Sequence, residues 1–168
     1  MTKAVKIISL IALLSGVLTR VQAQEFKNAI GARFSTYGAF GASFKHFSNE
    51  NTAIELNATF RSYTYYLSYT YSYYDFSALY EKYAPINDVE GLRYYYGGGP
   101  VVGIFSYGDL NYYDDATFRL GLAGVIGLSY KFPKSPIEVS ADYMPSFNFV
   151  GGSYFNGNRG GLALRYTF

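Results

Sequence analysis

His46, the only histidine in the chain, lies two residues before Ser48, with Asn49, Glu50 and Glu55 close behind. A serine nucleophile whose proton passes to a histidine oriented by a carboxylate is the standard arrangement for acyl transfer. These residues therefore carry one candidate chemistry. Against it, Glu55 has a competing partner in Lys45 across the same hairpin, and a histidine on an outward face near an interface is the simpler account of His46. The chain has no cysteine and no second histidine, so no metal-ligand spacing exists. Its glycines are scattered, and none sits in a loop that opens a helix to cradle phosphate. No cofactor is expected.

The remaining chemically capable residues are charges, and their spacing is regular. In an antiparallel hairpin, residues equidistant from the turn sit opposite each other. Counting outward from a turn at Ser48–Thr52 sets Lys45 opposite Glu55. A turn around Ala84–Gly91 sets Glu81 opposite Arg93, and one at Pro133–Pro136 sets Lys131 opposite Glu138. Together with Arg33, Arg61, Arg119, Asp142 and Arg165, these residues are expected to form a charged plug. The alternative is incidental surface pairing, which is worth little.

The elements that must position these charges are strands. Turn signals divide the chain into segments with a side-chain period of two: Ala29–Thr36, Phe40–Phe47, Ala53–Arg61, Tyr71–Tyr83, Leu92–Phe105, Thr117–Phe132, Ile137–Phe147 and Gly160–Phe168. The number is even, and most segments reach the roughly 9–11 residues a tilted strand needs to span a bilayer. The connections at Ser48–Thr52, Ala84–Gly91 and Pro133–Pro136 are polar turns. Those at Ser62–Thr70, Ser106–Ala116 and Asn148–Arg159 are expected to be long loops, on the opposite end. The sequence thus predicts an all-β, eight-stranded antiparallel up-and-down barrel in a single domain.

Two faces follow from the alternation. In the sixth segment Phe118, Leu120, Leu122, Ile126, Leu128, Tyr130 and Phe132 share one face, while Arg119, Gly121, Ala123, Val125, Gly127, Ser129 and Lys131 share the other. In the last segment Leu162, Leu164, Tyr166 and Phe168 lie opposite Ala163, Arg165 and Thr167. A soluble barrel turns its charges outward; a membrane barrel turns them into the lumen. Charged residues make up only 15% of the chain, against the roughly 25–35% of a well-solvated surface. The second face is also rich in small residues, which would leave room in a lumen for Arg, Lys and Tyr. Both features favour the membrane barrel.

Lys3 and Lys6 precede an apolar run, Ile7–Leu18, and a short polar stretch ending Val21-Gln22-Ala23. This is the pattern of a secretory signal, expected to occupy 1–23 and leave Gln24–Phe168 as the barrel domain. The apolar run is too short for a spanning helix. Removing Lys3, Lys6 and Arg20 takes the formal charge from +2 to slightly negative, and no basic patch suggests nucleic acid. All 20 Tyr and 14 Phe lie beyond the signal, a composition that suits strands.

Laid out in this way, Gln24–Phe168 resembles the small eight-stranded outer-membrane β-barrel family, which includes the OmpA transmembrane domain and OmpX. The stretches that carry the resemblance are Tyr95-Tyr96-Gly97-Gly98-Gly99, Lys45-His46-Phe47-Ser48-Asn49-Glu50 and the aromatic-terminated last strand. The resemblance implies location in the cell outer membrane, contact with its lipid, and recognition of Leu162, Leu164, Tyr166 and Phe168 by the outer-membrane assembly machinery. The family is functionally mixed and names an architecture more firmly than an activity. His46-Phe47-Ser48-Asn49 also looks like the His-x-Ser-Asn segment of the lipid A deacylase barrels, which implies an acyl hydrolase using His46 and Ser48. That segment falls at a periplasmic turn, whereas lipid A occupies the outer leaflet.

The leading expectation is a non-enzymatic structural or surface-interaction protein. Eight strands leave an interior that side chains fill, which argues against a diffusion pore. Tyr63, Tyr65, Tyr66, Tyr69, Tyr71, Tyr73 and Tyr74 crowd the second long hairpin, and Tyr107, Tyr112 and Tyr113 the third. Such tyrosines suit a binding surface for an unidentified ligand or an aromatic girdle at headgroup level. A soluble lipocalin-like periplasmic carrier is the third reading, and it requires the apolar face to point inward.

Overall fold

A computed structural model of the chain describes residues 26–65, 69–108, 117–152 and 154–168. The signal segment anticipated at 1–23 lies outside the described residues, as do Tyr66, Tyr112 and Tyr113. The strands are β1 (Asn28–Ser35), β2 (Ala39–Asn49), β3 (Thr52–Tyr65), β4 (Tyr69–Pro85), β5 (Leu92–Gly108), β6 (Thr117–Lys131), β7 (Ile137–Tyr143), β8 (Ser146–Val150), β9 (Tyr154–Asn156) and β10 (Gly160–Thr167). Each pairs antiparallel with its neighbours. β1 pairs with β10, and β5 with β6, so the sheet closes on itself.

Among the described residues these ten strands make eight staves of a barrel. β7 and β8 form one stave, interrupted at Met144 and Pro145, because Pro145 has no N–H to give the ladder. Its carbonyl still accepts from Gly124 N at 3.0 Å. The register on β6 is unbroken across the gap, with Ile126 opposite Tyr143 and Ala123 opposite Ser146. The stretch Asn148–Arg159, expected to be a loop, instead contains the end of β8 and the short strand β9, which pairs back onto β8 through Phe147 and Phe155. Gly151 and Gly152, at φ 75° and 104°, make the reversal between them.

The second long hairpin also differs from expectation. β3 and β4 stay paired through Tyr63 and Tyr71 to Tyr65 and Tyr69, so the tyrosines Tyr63, Tyr65, Tyr69, Tyr71, Tyr73 and Tyr74 are ladder residues, not loop residues. The physical reason is local: a run of Tyr, Thr and Ser favours extended backbone, and cross-strand rings reinforce it. Tyr63 stacks on Tyr71 at 5.4 Å, and Phe60 meets Tyr74 at 5.0 Å. β5 likewise continues through Ser106 and Tyr107 to Gly108.

The two faces have opposite character. Arg33, Lys45, Glu55, Glu81, Glu138 and Arg165 are at most 1% exposed, whereas Phe34, Leu122, Ile126 and Leu162 are 58–60% exposed. Leu164 and Phe168 also face outward, while Ala163, Arg165 and Thr167 are buried. Charge is inside and apolar surface outside, the reverse of a lipocalin-like carrier.

Candidate functional site: a charged lumen with an aromatic mouth

The interior is built in layers. At the end holding both described termini, Phe26 meets Phe47 edge-on at 5.2 Å, Phe47 packs on Tyr83, and Tyr83 stacks on Tyr95 at 5.1 Å. Arg93 lies over Phe47 at 5.0 Å and Tyr83 at 4.8 Å, and its guanidinium donates to Glu50 O. Arg93 is therefore not opposite Glu81. The β4–β5 register sets Glu81 against Gly97 and Arg93 against Pro85. The reason is the turn: Ile86–Gly91 folds on itself through Ile86 N to Leu92 O at 3.0 Å, with Gly91 at φ 84°. β4 consequently runs to Pro85, past the point a symmetric turn around Ala84–Gly91 implies.

Lys131 and Glu138 are cross-strand neighbours, yet Lys131 donates to the carbonyl oxygens of Ser135 at 2.5 Å and Phe132 at 3.1 Å. Glu138 points into the barrel and turns to Arg165 at 3.2 Å and Lys45 at 3.4 Å. A lysine at the last position of its strand reaches the turn carbonyls more cheaply than the buried layer above.

The next layer centres on Lys45. It sits opposite Glu55 in the β2–β3 ladder, and its ammonium lies 3.0 Å from Glu55, 3.4 Å from Glu81 and 3.4 Å from Glu138. It also donates to the Tyr83 hydroxyl, which in turn donates to Glu81 at 2.7 Å. Arg165 donates to Glu55 at 2.6 Å and uses Ser43 and Ser140 for its other N–H groups. Arg33 holds Asp142 with two bonds, at 2.8 and 2.6 Å, and Tyr95 donates to the same carboxylate at 3.0 Å. Fully desolvated charges are tolerable only when paired and hydrogen-bonded in this way.

Small residues clear the space these groups occupy. A Cβ added at Gly127 would lie 2.5 Å from Tyr95 Cζ, and one at Gly103 would lie 2.8 Å from the Tyr73 hydroxyl. Gly127→Val is expected to push Tyr95 off Asp142 and destabilise the barrel by about 1–3 kcal/mol, the usual cost of overpacking. Urea unfolding in detergent reads it, and an unchanged midpoint would mean that the ring relocates freely.

The opposite end holds Arg61 and Arg119, two of the charges expected in the plug, together with Asp75, Arg159 and Tyr154, which sequence inspection passed over. Arg159 grips Asp75 at 2.7 and 3.0 Å, and Tyr73 donates to Asp75 at 2.8 Å. Arg119 donates to the Tyr154 hydroxyl at 2.6 Å and lies over Phe105 at 4.1 Å. Arg61 lies over Tyr73 at 4.9 Å and Tyr63 at 5.4 Å. Asp75 shares strand parity with Glu81, so the alternation of β4 could have placed it inside. Arg159 is the last residue of an expected loop and offered no such signal.

The acyl-transfer residues do not converge. His46 and Ser48 are exposed on the outer face, and His46 Nδ1 lies 2.9 Å from Asn28 Oδ1. Glu55 points the other way, into the lumen, where Lys45, Arg165, Arg33 and Ser43 surround it.

No protein-family model matches the chain, and no curated protein does. Solved structures do. The N-terminal β-barrel domain of Pseudomonas aeruginosa OprF aligns over 86% of this chain and 100% of its own, with TM-score 0.63 and 16% identity. Ail, the attachment invasion locus protein of Yersinia pestis, aligns over 84% and 96%, with TM-score 0.56 and 16% identity. Neisserial surface protein A aligns over 84% and 94%, with TM-score 0.54 and 18% identity. Closure, strand direction and these likenesses agree: the chain has the fold of the small eight-stranded outer-membrane β-barrels.

Proposed function

We propose that this protein is an integral outer-membrane barrel that acts through its outer end, as a structural or surface-interaction element, and that it is neither an enzyme nor a diffusion pore. The observation that carries this reading is the inverted polarity of a closed sheet. A belt of Leu, Ile and Phe on the outside suits lipid, and the aromatic layer at Phe26, Phe47 and Tyr83 with the ion pairs beyond it argues against a through-path for solutes. The separation of His46 and Ser48 from Glu55 argues against acyl transfer. Leu162, Leu164, Tyr166 and Phe168 line the outer face of the last stave, where the assembly machinery would read them after export. The attachment protein Ail, alike in fold, is consistent with a surface role.

Because the chain lacks cysteine, single cysteines report sidedness cleanly. The barrel should migrate faster on gels before boiling than after. On intact cells, a membrane-impermeant maleimide should label Ser62→Cys, at the outer end, and spare Asn51→Cys, at the short-turn end. Absence of a heat shift, or the reverse labelling pattern, would overturn the barrel or its orientation.

A further inference from the structure

Among the described residues, the outward positions of the strands carry one lysine, Lys82, and no arginine or carboxylate. Glu81 and Tyr83 on either side of it are buried in the lumen, whereas Lys82 is exposed. In the ladder it lies between Thr52 on β3 and Tyr96 on β5, and Tyr80 precedes it on the same face of β4. Tyr80 and Tyr96 are themselves exposed. No carboxylate pairs with Lys82 among the described residues. It stands close to the end of β4 at Pro85, on the short-turn side, which is periplasmic in the orientation proposed above. Exposed tyrosines suit headgroup level, and a lysine on a lipid-facing wall is least costly there.

From Lys82 towards the outer end the wall is first bare and then recessed. Gly98 lies opposite both Tyr80 and Gly124. Beyond it Ala78, Pro100, Ala58 and Ala42 floor an apolar groove of about 470 Å³. Ser43, Asn57 and Ser77 also line it, but they are buried towards the lumen, so their backbone meets the groove. Ala42 and Ala58 are cross-strand partners, and two ridges flank them: Phe44 with Leu56, and Phe40 with Phe60. Four residues separate the ridges along each strand, about 13 Å between backbones at the usual rise. Less the width of the side chains, that spacing admits one hydrocarbon chain.

We propose that Lys82 and this groove together bind one phospholipid of the periplasmic leaflet, its phosphate on the Lys82 ammonium and one acyl chain along the alanines. Charge complementarity selects the headgroup: a phosphate diester is an anion, and the hydroxyls of Thr52, Tyr80 and Tyr96 around Lys82 are further donors for its oxygens. The lysine stem covers apolar wall while its ammonium reaches the phosphates. The groove is continuous with the outer belt that meets lipid, so its occupant is hydrocarbon. Its direction also fits. An acyl chain runs from the headgroup to the midplane, and Pro100 on the groove floor is the ladder partner of Leu122, at the middle of β6. This site goes beyond the surface-interaction role and rests on the barrel wall meeting lipid.

The test uses the barrel in detergent, checked for its heat shift, and native mass spectrometry after addition of palmitoyl-oleoyl phosphatidylglycerol. One lipid per barrel should persist under conditions that strip the detergent. Lys82→Gln, with its heat shift intact, should weaken retention roughly fivefold, the order expected of one lysine at a lipid surface. Ala58→Phe, which fills the groove, should weaken it by at least as much. Lys134→Gln, in a turn at the same end, and Ala141→Phe, on the outer face of β7, should leave it unchanged. Dioleoylglycerol, which lacks the phosphate, should be held more weakly and without regard to Lys82. Retention insensitive to Lys82→Gln or to Ala58→Phe would overturn the site, as would equal losses in all four variants. Preference for lipid A would overturn it in favour of the outer leaflet, and a dimer abolished by Ala58→Phe would overturn it in favour of a second copy. A heat-modifiable barrel that retains no lipid would overturn this site alone and leave the barrel reading standing. A chain with no heat-modifiable form would overturn both.

Discussion

Replacing Lys45 with methionine is expected to cost the barrel about 3–5 kcal/mol, the loss typical of removing one partner from a buried charge cluster. Lys45 is wholly buried and lies within 3.4 Å of three carboxylates. Glu55 and Glu138 would retain Arg165. Glu81 would keep the Tyr83 hydroxyl but lose the ammonium that faces it, and the stranded carboxylate sets the size of the loss. Adding Glu81→Gln should therefore recover a good part of the stability, because it removes the charge left without compensation. Urea-induced unfolding in lipid vesicles, followed by the gel shift, measures both variants. Equal stability of wild type and Lys45→Met would show that the interior charges are hydrated and individually dispensable.

Leu122→Arg should be the most damaging change on the outer wall. Leu122 is 58% exposed at the middle of β6, and an arginine at the midplane of a lipid-facing strand costs roughly 2–4 kcal/mol. Its neighbour Ala123 is 5% exposed and points into the lumen. Ala123→Ser adds only a small hydroxyl on a face that already holds Ser129 and Ser146, and should fold nearly as well as wild type. Insertion into vesicles, scored by the heat shift, separates the two. Similar behaviour at both positions would mean that the outer belt does not meet lipid.

Both predictions depend on facing, and facing was readable before any tertiary structure. A strand's side chains alternate with a period of two whatever its neighbours do, so the parity of Leu122 against Ala123, or of Leu164 against Arg165, is a local property. Short turns extend that legibility by one step. The compact turn after Asn49 fixes Lys45 against Glu55, and the one after Lys131 fixes that residue against Glu138. The same reasoning fails at Ile86–Gly91, where the turn folds on itself and displaces the register, and at Tyr63–Tyr71, where strand-forming residues continue a ladder past the expected loop.

The sequence by itself determined the strands, their two faces and the register of two hairpins, because each depends on backbone geometry over a few residues. Only the tertiary structure decided which charge meets which. Arg33 meets Asp142 because closure sets β1 beside β10 and β10 beside β7; Lys45 reaches Glu138, and Arg159 reaches Asp75, across the width of the lumen. Those distances are set by the curvature of the closed sheet and by the lengths of side chains sharing one interior. No local spacing encodes them, which is why the mouth with its three arginines emerged only once the barrel was closed.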